Sequence, residues 1–472
     1  MSSRAVTTFP LDEIKSALGD VRCPESLEAF ADALAKPYRS VVRRRRGFDP
    51  FPVGEAGEAI PWYLLGCRPL DSSTAPSRTL AYACGDFFVQ DAGSLLALAA
   101  CGADADSLQG KLVCDLCAAP GGKATALVEA VTPSEPSESV PDVDDAPIHR
   151  RSGGFVLANE VIRSRVGPLQ VNLARTGSDR YAISNLDPET LADRFAGTFD
   201  VVLVDAPCSG QAMMGRGKQR ASALSDHQIQ HSASRQRRIL DAAVKLVRSG
   251  GQLVYSTCTF AEAENEAQVR RLVQRGVAHP RDVARLHSYQ TEPGCYRCWP
   301  HIHQCAGSFA ASLTIEHSES ENVRGAARKR RKDRRAKSSK PPTELNHWYS
   351  GVETVRLAVR ESVVFGFPSD APDWVDPVAV SGPELSYRAG QTWKPAHAGA
   401  LRRTGQVKAI LNLDADESAC RQYMRGEPIA TNVKGWNVVR YGGRPLGWVK
   451  ADGRIGKNHL PSAARMTGDL SE

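Results

Sequence analysis

The chain has 472 residues, 42% of them hydrophobic and 24% charged, an ordinary globular composition with room for two to four domains. It has no run of about 18 apolar residues, which excludes a membrane-spanning helix. The start, MSSRAVTTFPLDEIK, lacks the apolar stretch of a secretory signal. The expectation is a cytoplasmic protein with no membrane partner, whose twelve cysteines are thiols, catalytic groups or metal ligands before they are disulfides. The net charge is +7, yet residues 324–340 carry ten Lys or Arg against one Asp, which leaves the rest of the chain near neutral. This clustering points to nucleic acid more than the overall balance does.

Taken in chain order, residues 8–46 predict short helices, because Leu11, Ile14 and Leu18, then Leu27, Phe30, Ala33 and Leu34, recur at helical spacing. The arginines at 43–46 that follow read either as a solvated surface or as a set of forks for RNA phosphates. Residues 111–260 alternate strands (112–116, 155–159, 181–185, 199–205, 252–256) with helices (about 122–131, 161–175, 234–248). That rhythm predicts a Rossmann-like α/β fold, a doubly wound and mostly parallel sheet. The strands are apolar almost throughout, as strands covered on both faces are. Ser249-Gly250-Gly251 is expected to stop the last helix. Residues 132–153, rich in Pro, Ser and acid, read as a disordered insertion. Residues 317–343 read as a basic linker, a tether or a phosphate-binding arm. Residues 344–472 read as a small, mostly β domain whose Trp393, Trp436 and Trp448 belong to a core before they serve as stacking platforms. No internal repeat is visible.

The first strand runs into Asp115-Leu-Cys117-Ala118-Ala119-Pro120-Gly121-Gly122-Lys123. Small residues and two glycines let a ligand approach backbone N–H groups at a helix start. The turn is neither GxGxxG nor GxxxxGK[ST], and it suits a ligand with a carboxylate and an amino group, such as the methionine part of S-adenosylmethionine. Glu160 ends the second strand, where an acid accepts hydrogen bonds from ribose hydroxyls; Asp187 follows the third, within reach of an adenine edge. Such an acid usually stands about 20 residues from the glycine turn. Here the separation is 38, and removing the insertion restores the usual value.

The fourth strand runs into Asp205-Ala-Pro-Cys208-Ser-Gly and the fifth into Ser256-Thr-Cys258-Thr. Neighbouring strand ends thus offer two thiols and a carboxyl to one crevice. A pyrimidine C5 is a poor nucleophile until a thiolate adds at C6, and an acid at N3 then stabilises the charge that develops in the ring. A base must finally remove the C5 proton so that the thiol can leave, a two-step covalent scheme.

The stretches DLCAAPGGK, ANE, DAPCSG and STCT resemble the motifs of the Nol1/Nop2/Sun family of RNA cytosine-5 methyltransferases, and the likeness covers most of the chain. The segment 85–94 (GDFFVQDAGS), the stretch Trp299-Pro-His301 and the tail 456–461 (GKNHLP) are similar to the bacterial ribosomal small-subunit methyltransferase F type. The resemblance implies that Cys258 attacks C6, Cys208 assists release and Asp205 contacts the cytosine. It implies S-adenosylmethionine contacts from Cys117, Ala118, Ala119, Pro120, Gly121, Gly122, Lys123, Glu160, Asp187 and Asp205. It further implies an N-terminal helical, RNA-binding region (1–84), a methyltransferase domain (85–316) and a C-terminal PUA-like, α+β/β RNA-binding domain (344–472). The expected partner is RNA, foremost 16S rRNA or the small ribosomal subunit, acted on by a monomer, with no DNA. A tRNA cytosine-5 methyltransferase and a catalytically silent assembly factor are the alternatives, the latter opposed by the intact Cys208, Cys258 and Asp205. Two departures stand out: 41–46 (VVRRRR) replaces the usual N-terminal Arg-x-Asn-x-Leu-like stretch, and Gln211-Ala212 replaces the usual Glu-Gly pair.

Cys295, Cys298, His301, His303 and Cys305 have zinc-like spacing but do not form paired CxxC knuckles, and no metal is assigned. Cys114 and Cys117 form a CxxC on a strand and its turn, not at the helix start that redox pairs occupy.

Overall fold

A computed structural model describes residues 11–38, 40–46, 57–68, 76–132, 153–217, 219, 221–317, 340–403 and 406–466. The acidic insertion (but for Thr132 and Gly153) and most of the basic linker, including 324–339, lie outside the described residues.

Helices α1 (Leu11–Leu18) and α2 (Leu27–Leu34) form where their spacing predicts. Ser26 caps α2 by accepting from the Ala29 N–H. Ile14, Leu18, Phe30 and Leu34 pack on Met214, Phe260 and Trp299. The helical expectation for residues 8–46 fails beyond α2. Ser40–Arg44 is a strand, β1, in a four-stranded sheet with β2 (Glu58–Ala59), β3 (Gly66–Arg68) and β4 (Phe87–Asp91). β-Branched Val41 and Val42, both fully buried, favour the pleated surface over a helix. The short helices α3 (Leu80–Ala83) and α4 (Leu95–Cys101) flank β4. The arginine run is largely consumed internally. Arg43 is buried against Glu129 (2.5 Å) and Thr125 (2.9 Å), and Arg46 binds Asp106 (2.7 Å).

The central sheet has nine strands. Five are parallel: β5 (Leu112–Asp115), β6 (Phe155–Asn159), β7 (Tyr181–Ser184), β8 (Phe199–Asp205) and β9 (Val247–Thr257). Their spatial order, β9-β8-β5-β6-β7, reverses at β5. Strands β10 (Ala278–Pro280), β11 (Gln290–Glu292), β12 (Cys295–Cys298) and β13 (Ser308–Ile315) extend the β9 edge antiparallel. Helices α5 (Gly122–Val131), α6 (Arg163–Ala174), α7 (Pro188–Phe195), α8 (Asp226–Leu246) and α9 (Glu266–Gln274) cover the two faces.

α8 starts earlier than its apolar pattern implies, capped by Ser225. The expected helix stop at Ser249-Gly250-Gly251 is instead part of β9. The helix ends at Leu246, Val247 already pairs with Phe199, and the register slips before Gln252 pairs with Val201. Gly250, at φ +71°, belongs to that irregularity.

Residues beyond 340 form two larger sheets. Strands Arg356–Arg360, Val363–Phe367, Glu384–Ala389 and Thr392–Pro395 make one, whose Phe365 and Phe367 share a core with Phe155 and Phe199. Strands Ile410–Asn412, Ile429–Ala430, Lys434–Tyr441, Arg444–Asp452 and Ile455–Asn458 make the other. Trp448 is buried there with its indole N–H on the Ala396 carbonyl (2.9 Å), a core residue. Trp393 and Trp436 are half-buried.

Candidate active site

Open parallel sheets bind ligands outside the carboxyl ends of their strands where the order reverses, which here is at β5, β6 and β8. A cleft of about 400 Å³ opens there. Cys117, Ala119, Glu160, Asp187, Asp205, Cys208 and Cys258 all line it. Ala118, Pro120, Gly121 and Gly122 build the adjacent turn without lining the cleft, and Lys123 reaches the site through Asp205. Gly121 sits at φ +113°, and a Cβ there would come within 3.2 Å of Asn172 and Leu169, so the turn into α5 requires glycine.

Asn159, which the sequence reading passed over, ties three strand ends together. Its amide donates to the carbonyls of Leu116 (3.3 Å) and Leu186 (2.9 Å), and its oxygen accepts from Ser184 Oγ (2.7 Å) and the Leu186 N–H (3.1 Å). Glu160 is almost fully buried, with one oxygen on the Ile162 N–H (2.8 Å) and the other 3.4 Å from Arg165. Asp187 caps α7 by accepting from the Glu189 N–H. Asp115 was also missed. Both its carboxylate oxygens are buried without a partner. Burial, followed by repulsion from Asp205, pushes its carboxyl up to about 7. Its place in the DLCAAPGGK stretch was the available signal.

At the far end of the cleft Cys208 Sγ and Cys258 Sγ lie 3.3 Å apart. Asp205 accepts from Ser256 Oγ (2.8 Å) and pairs with Lys123 Nζ (2.7 Å). Burial opposes the Lys123 ammonium, but the Asp205 carboxylate more than offsets it and the net shift is upward. The hydrogen bond with Cys258, reinforced by burial, holds the Cys208 thiol well above the usual range, so it stays protonated. The two cysteine loops are locked to each other. Glu264 accepts from the Ser209 N–H (3.0 Å) and Gln236 (2.8 Å), and Ser209 Oγ meets Thr259 Oγ1 at 2.8 Å. Gln211, one of the departures from the family pattern, is buried; it accepts from the Phe260 N–H (2.9 Å) and donates to the Ala223 carbonyl (3.1 Å).

The cysteine and histidine cluster near 300 does other work. His301 contacts the Pro24 carbonyl (3.0 Å), and His303 Nδ1 accepts from the Trp299 N–H (2.8 Å). Among the described residues no group of three or more His, Cys, Asp or Glu is arranged to hold a metal. Cys114 is buried in the core, while Cys117 faces the cleft.

The fold and this site define an S-adenosylmethionine-dependent methyltransferase with an appended second module. Residues 148–314 match the family model described as 16S rRNA methyltransferase RsmB/F, and residues 410–466 match that of the methyltransferase RsmF PUA domain. Over these two stretches the chain is similar to the RsmB/F family. Over 465 residues it is 26% identical to the ribosomal RNA small subunit methyltransferase F of Shewanella oneidensis, covering 92% of this chain and 93% of that one. It is 28% identical to the protein of the same name from Shigella boydii, covering 89% and 87%. The crystal structure of PH0851 superposes with a TM-score of 0.50 at 24% identity, covering 64% of this chain and 65% of that one, and shares the fold. The buried Asp115 carboxylate, at the head of the turn and near Lys123 and the Cys117 N–H, fits a cofactor whose methionine part brings an ammonium.

Proposed function

We propose that the protein methylates carbon 5 of a cytosine in 16S rRNA, as a cytoplasmic monomer. The observation that carries this reading is the pair of sulfurs 3.3 Å apart, beside Asp205 and Lys123 in one cleft. Cys258 Sγ adds to C6 of the base, which makes C5 nucleophilic, and Asp205 stabilises the ring at N3. Lys123 holds the Asp205 carboxylate in place. Bound S-adenosylmethionine supplies the methyl group. Asp115 and the 117–123 turn take its methionine part, Glu160 its ribose and Asp187 its adenine edge. A base then takes the C5 proton, the freed electron pair re-forms the C5–C6 double bond as the C6–S bond breaks, and Cys258 leaves as a thiolate, a release that Cys208 beside it assists.

The test is denaturing electrophoresis of protein incubated with rRNA and cofactor. Cys208→Ala is expected to accumulate a covalent protein–RNA band, and Cys258→Ala to give neither band nor methylation. The reverse pattern would overturn the roles. Bisulfite sequencing of total RNA from a deletion strain identifies the substrate: a lost 5-methylcytosine in 16S rRNA is expected, and one lost from tRNA instead would redirect the assignment.

A further inference from the structure

Each cysteine of the reacting pair has both its chain neighbours held by buried polar side chains, and the two main holders are consecutive in sequence. Asn265 serves Cys258: its Oδ1 accepts from Thr257 Oγ1 (2.6 Å) and its Nδ2 donates to the Thr259 carbonyl (2.9 Å). Glu264 serves Cys208: its Oε2 accepts from the Ser209 N–H (3.0 Å) and from Gln236 Nε2 (2.8 Å). The same Gln236 nitrogen donates to the Pro207 carbonyl (3.2 Å), on the other side of Cys208. Ser209, Gln236, Thr257, Thr259, Glu264 and Asn265 are each at most 2% exposed. Glu264 ends the short helical turn Glu262–Glu264 and α9 begins at Glu266, so both holders are fixed at one junction. Neither lines the cleft, and neither touches the reacting atoms. Burial pushes the Glu264 carboxyl up, and its hydrogen bonds offset this only in part. An apolar side chain would carry no such cost; what the carboxylate supplies is placement of the Cys208 loop.

We propose that Asn265 and Glu264 are positioning residues with separate tasks: Asn265 aims Cys258 at C6, and Glu264, with Gln236, holds Cys208 where it assists release. The proposal rests on the covalent reading above and gives each step its own support. A reacting atom displaced by about 1 Å can lose about 10² in rate. The two losses differ in what they leave behind. A misplaced Cys258 forms its adduct slowly, so none builds up. A misplaced Cys208 leaves an adduct that persists.

The experiment follows single turnovers of the full chain with rRNA and S-adenosylmethionine on denaturing gels. Asn265→Ala is expected to slow formation of the covalent band by up to about 10², with no build-up. Glu264→Gln is expected to form the band at the wild-type rate and to slow its decay by up to about 10², a milder form of the Cys208→Ala pattern. Thr257→Val should repeat the first pattern and Gln236→Met the second, so neither assignment depends on one variant folding. Gln252→Ala removes a buried side chain on β9 that donates to the Ala100 carbonyl and Ser312 Oγ, away from the cysteines, and should match wild type. The same pattern from both holders, the two patterns exchanged, or either one produced by Gln252→Ala would overturn the proposal. Alkylation of the free protein by iodoacetamide, without RNA, reads placement directly. Glu264→Gln should speed modification of Cys208 alone, and Asn265→Ala that of Cys258 alone; a variant that changes both thiols or neither would overturn the pairing. If Cys208→Ala yields no band, the covalent reading fails, and the alkylation still decides which residue holds which cysteine.

Discussion

Asp115→Asn separates what Asp115 costs the free protein from what it does for the cofactor. Its carboxyl is fully buried and unpartnered, and is pushed from its ordinary 3.8 up to about 7. A raised carboxyl favours the protonated form in the folded state. The folded protein therefore carries little penalty below pH 4, and the penalty grows as the pH rises to about 7, above which it is constant. The interval is about three pH units at about 1.4 kcal/mol each, or about 4 kcal/mol at pH 8. Relaxation around the charge makes this an upper figure. For a domain of 150–250 residues, about 2–4 °C accompanies each kcal/mol, so the unliganded variant should melt up to about 16 °C above wild type at pH 8 and alongside it at pH 4. Adding S-adenosylhomocysteine should stabilise wild type and leave the variant nearly unmoved, because the amide cannot replace the carboxylate opposite an ammonium. Thermal melts across pH 4–8, with and without that ligand, read both effects. A gap between the two proteins that does not change with pH would refute the reasoning.

Lys123→Met leaves the carboxylates of Asp205 and Asp115 facing each other without the intervening ammonium. It should lower kcat/KM by on the order of 10²–10³, the usual effect of removing a charge-stabilising group, in a tritiated-methyl transfer assay. Glu266→Gln strands Arg297, which is fully buried and holds Glu266 through two bonds of 2.7 and 2.5 Å. It should cost about 3–5 kcal/mol in urea unfolding, whereas Glu266→Met/Arg297→Met should stay near wild type.

The central sheet was legible because its strands sit in continuous apolar runs: 155–159 and 199–205 coincide with β6 and β8. That Asp205, Cys208 and Cys258 meet in one cleft was legible because each ends or closely follows such a run. Elements governed by distant contacts were not. β1 looked helical from its neighbours, but its fate is set by pairing with β3 and β4, 20 to 50 residues away. Four consecutive arginines look the same in a sequence whether they face water or, like Arg43, a half-buried glutamate inside the fold. Asp115, Asn159 and Glu264 act on groups that are far away in sequence. For Asp115 the tell-tale property, a carboxylate left without a donor, exists only in three dimensions.

The far module is joined to the catalytic sheet by rigid contacts. The Ser381 carbonyl accepts from the Ile183 N–H (2.9 Å) on the outermost parallel strand, which occupies the sheet edge that would otherwise be open. Trp374 packs on Phe195 and Phe199 at 5.3 and 5.6 Å. Buried Arg402 pairs with Asp179, and Arg444 with buried Asp86. Leu80 and Cys84 share a core with Tyr423 and Val449. Contacts of this kind repack in discrete steps and do not slide, so the C-terminal module keeps a fixed place beside the catalytic sheet. Removing this packing with Trp374→Ala should destabilise the chain by about 3 kcal/mol in urea unfolding, and an unchanged midpoint would refute a shared core.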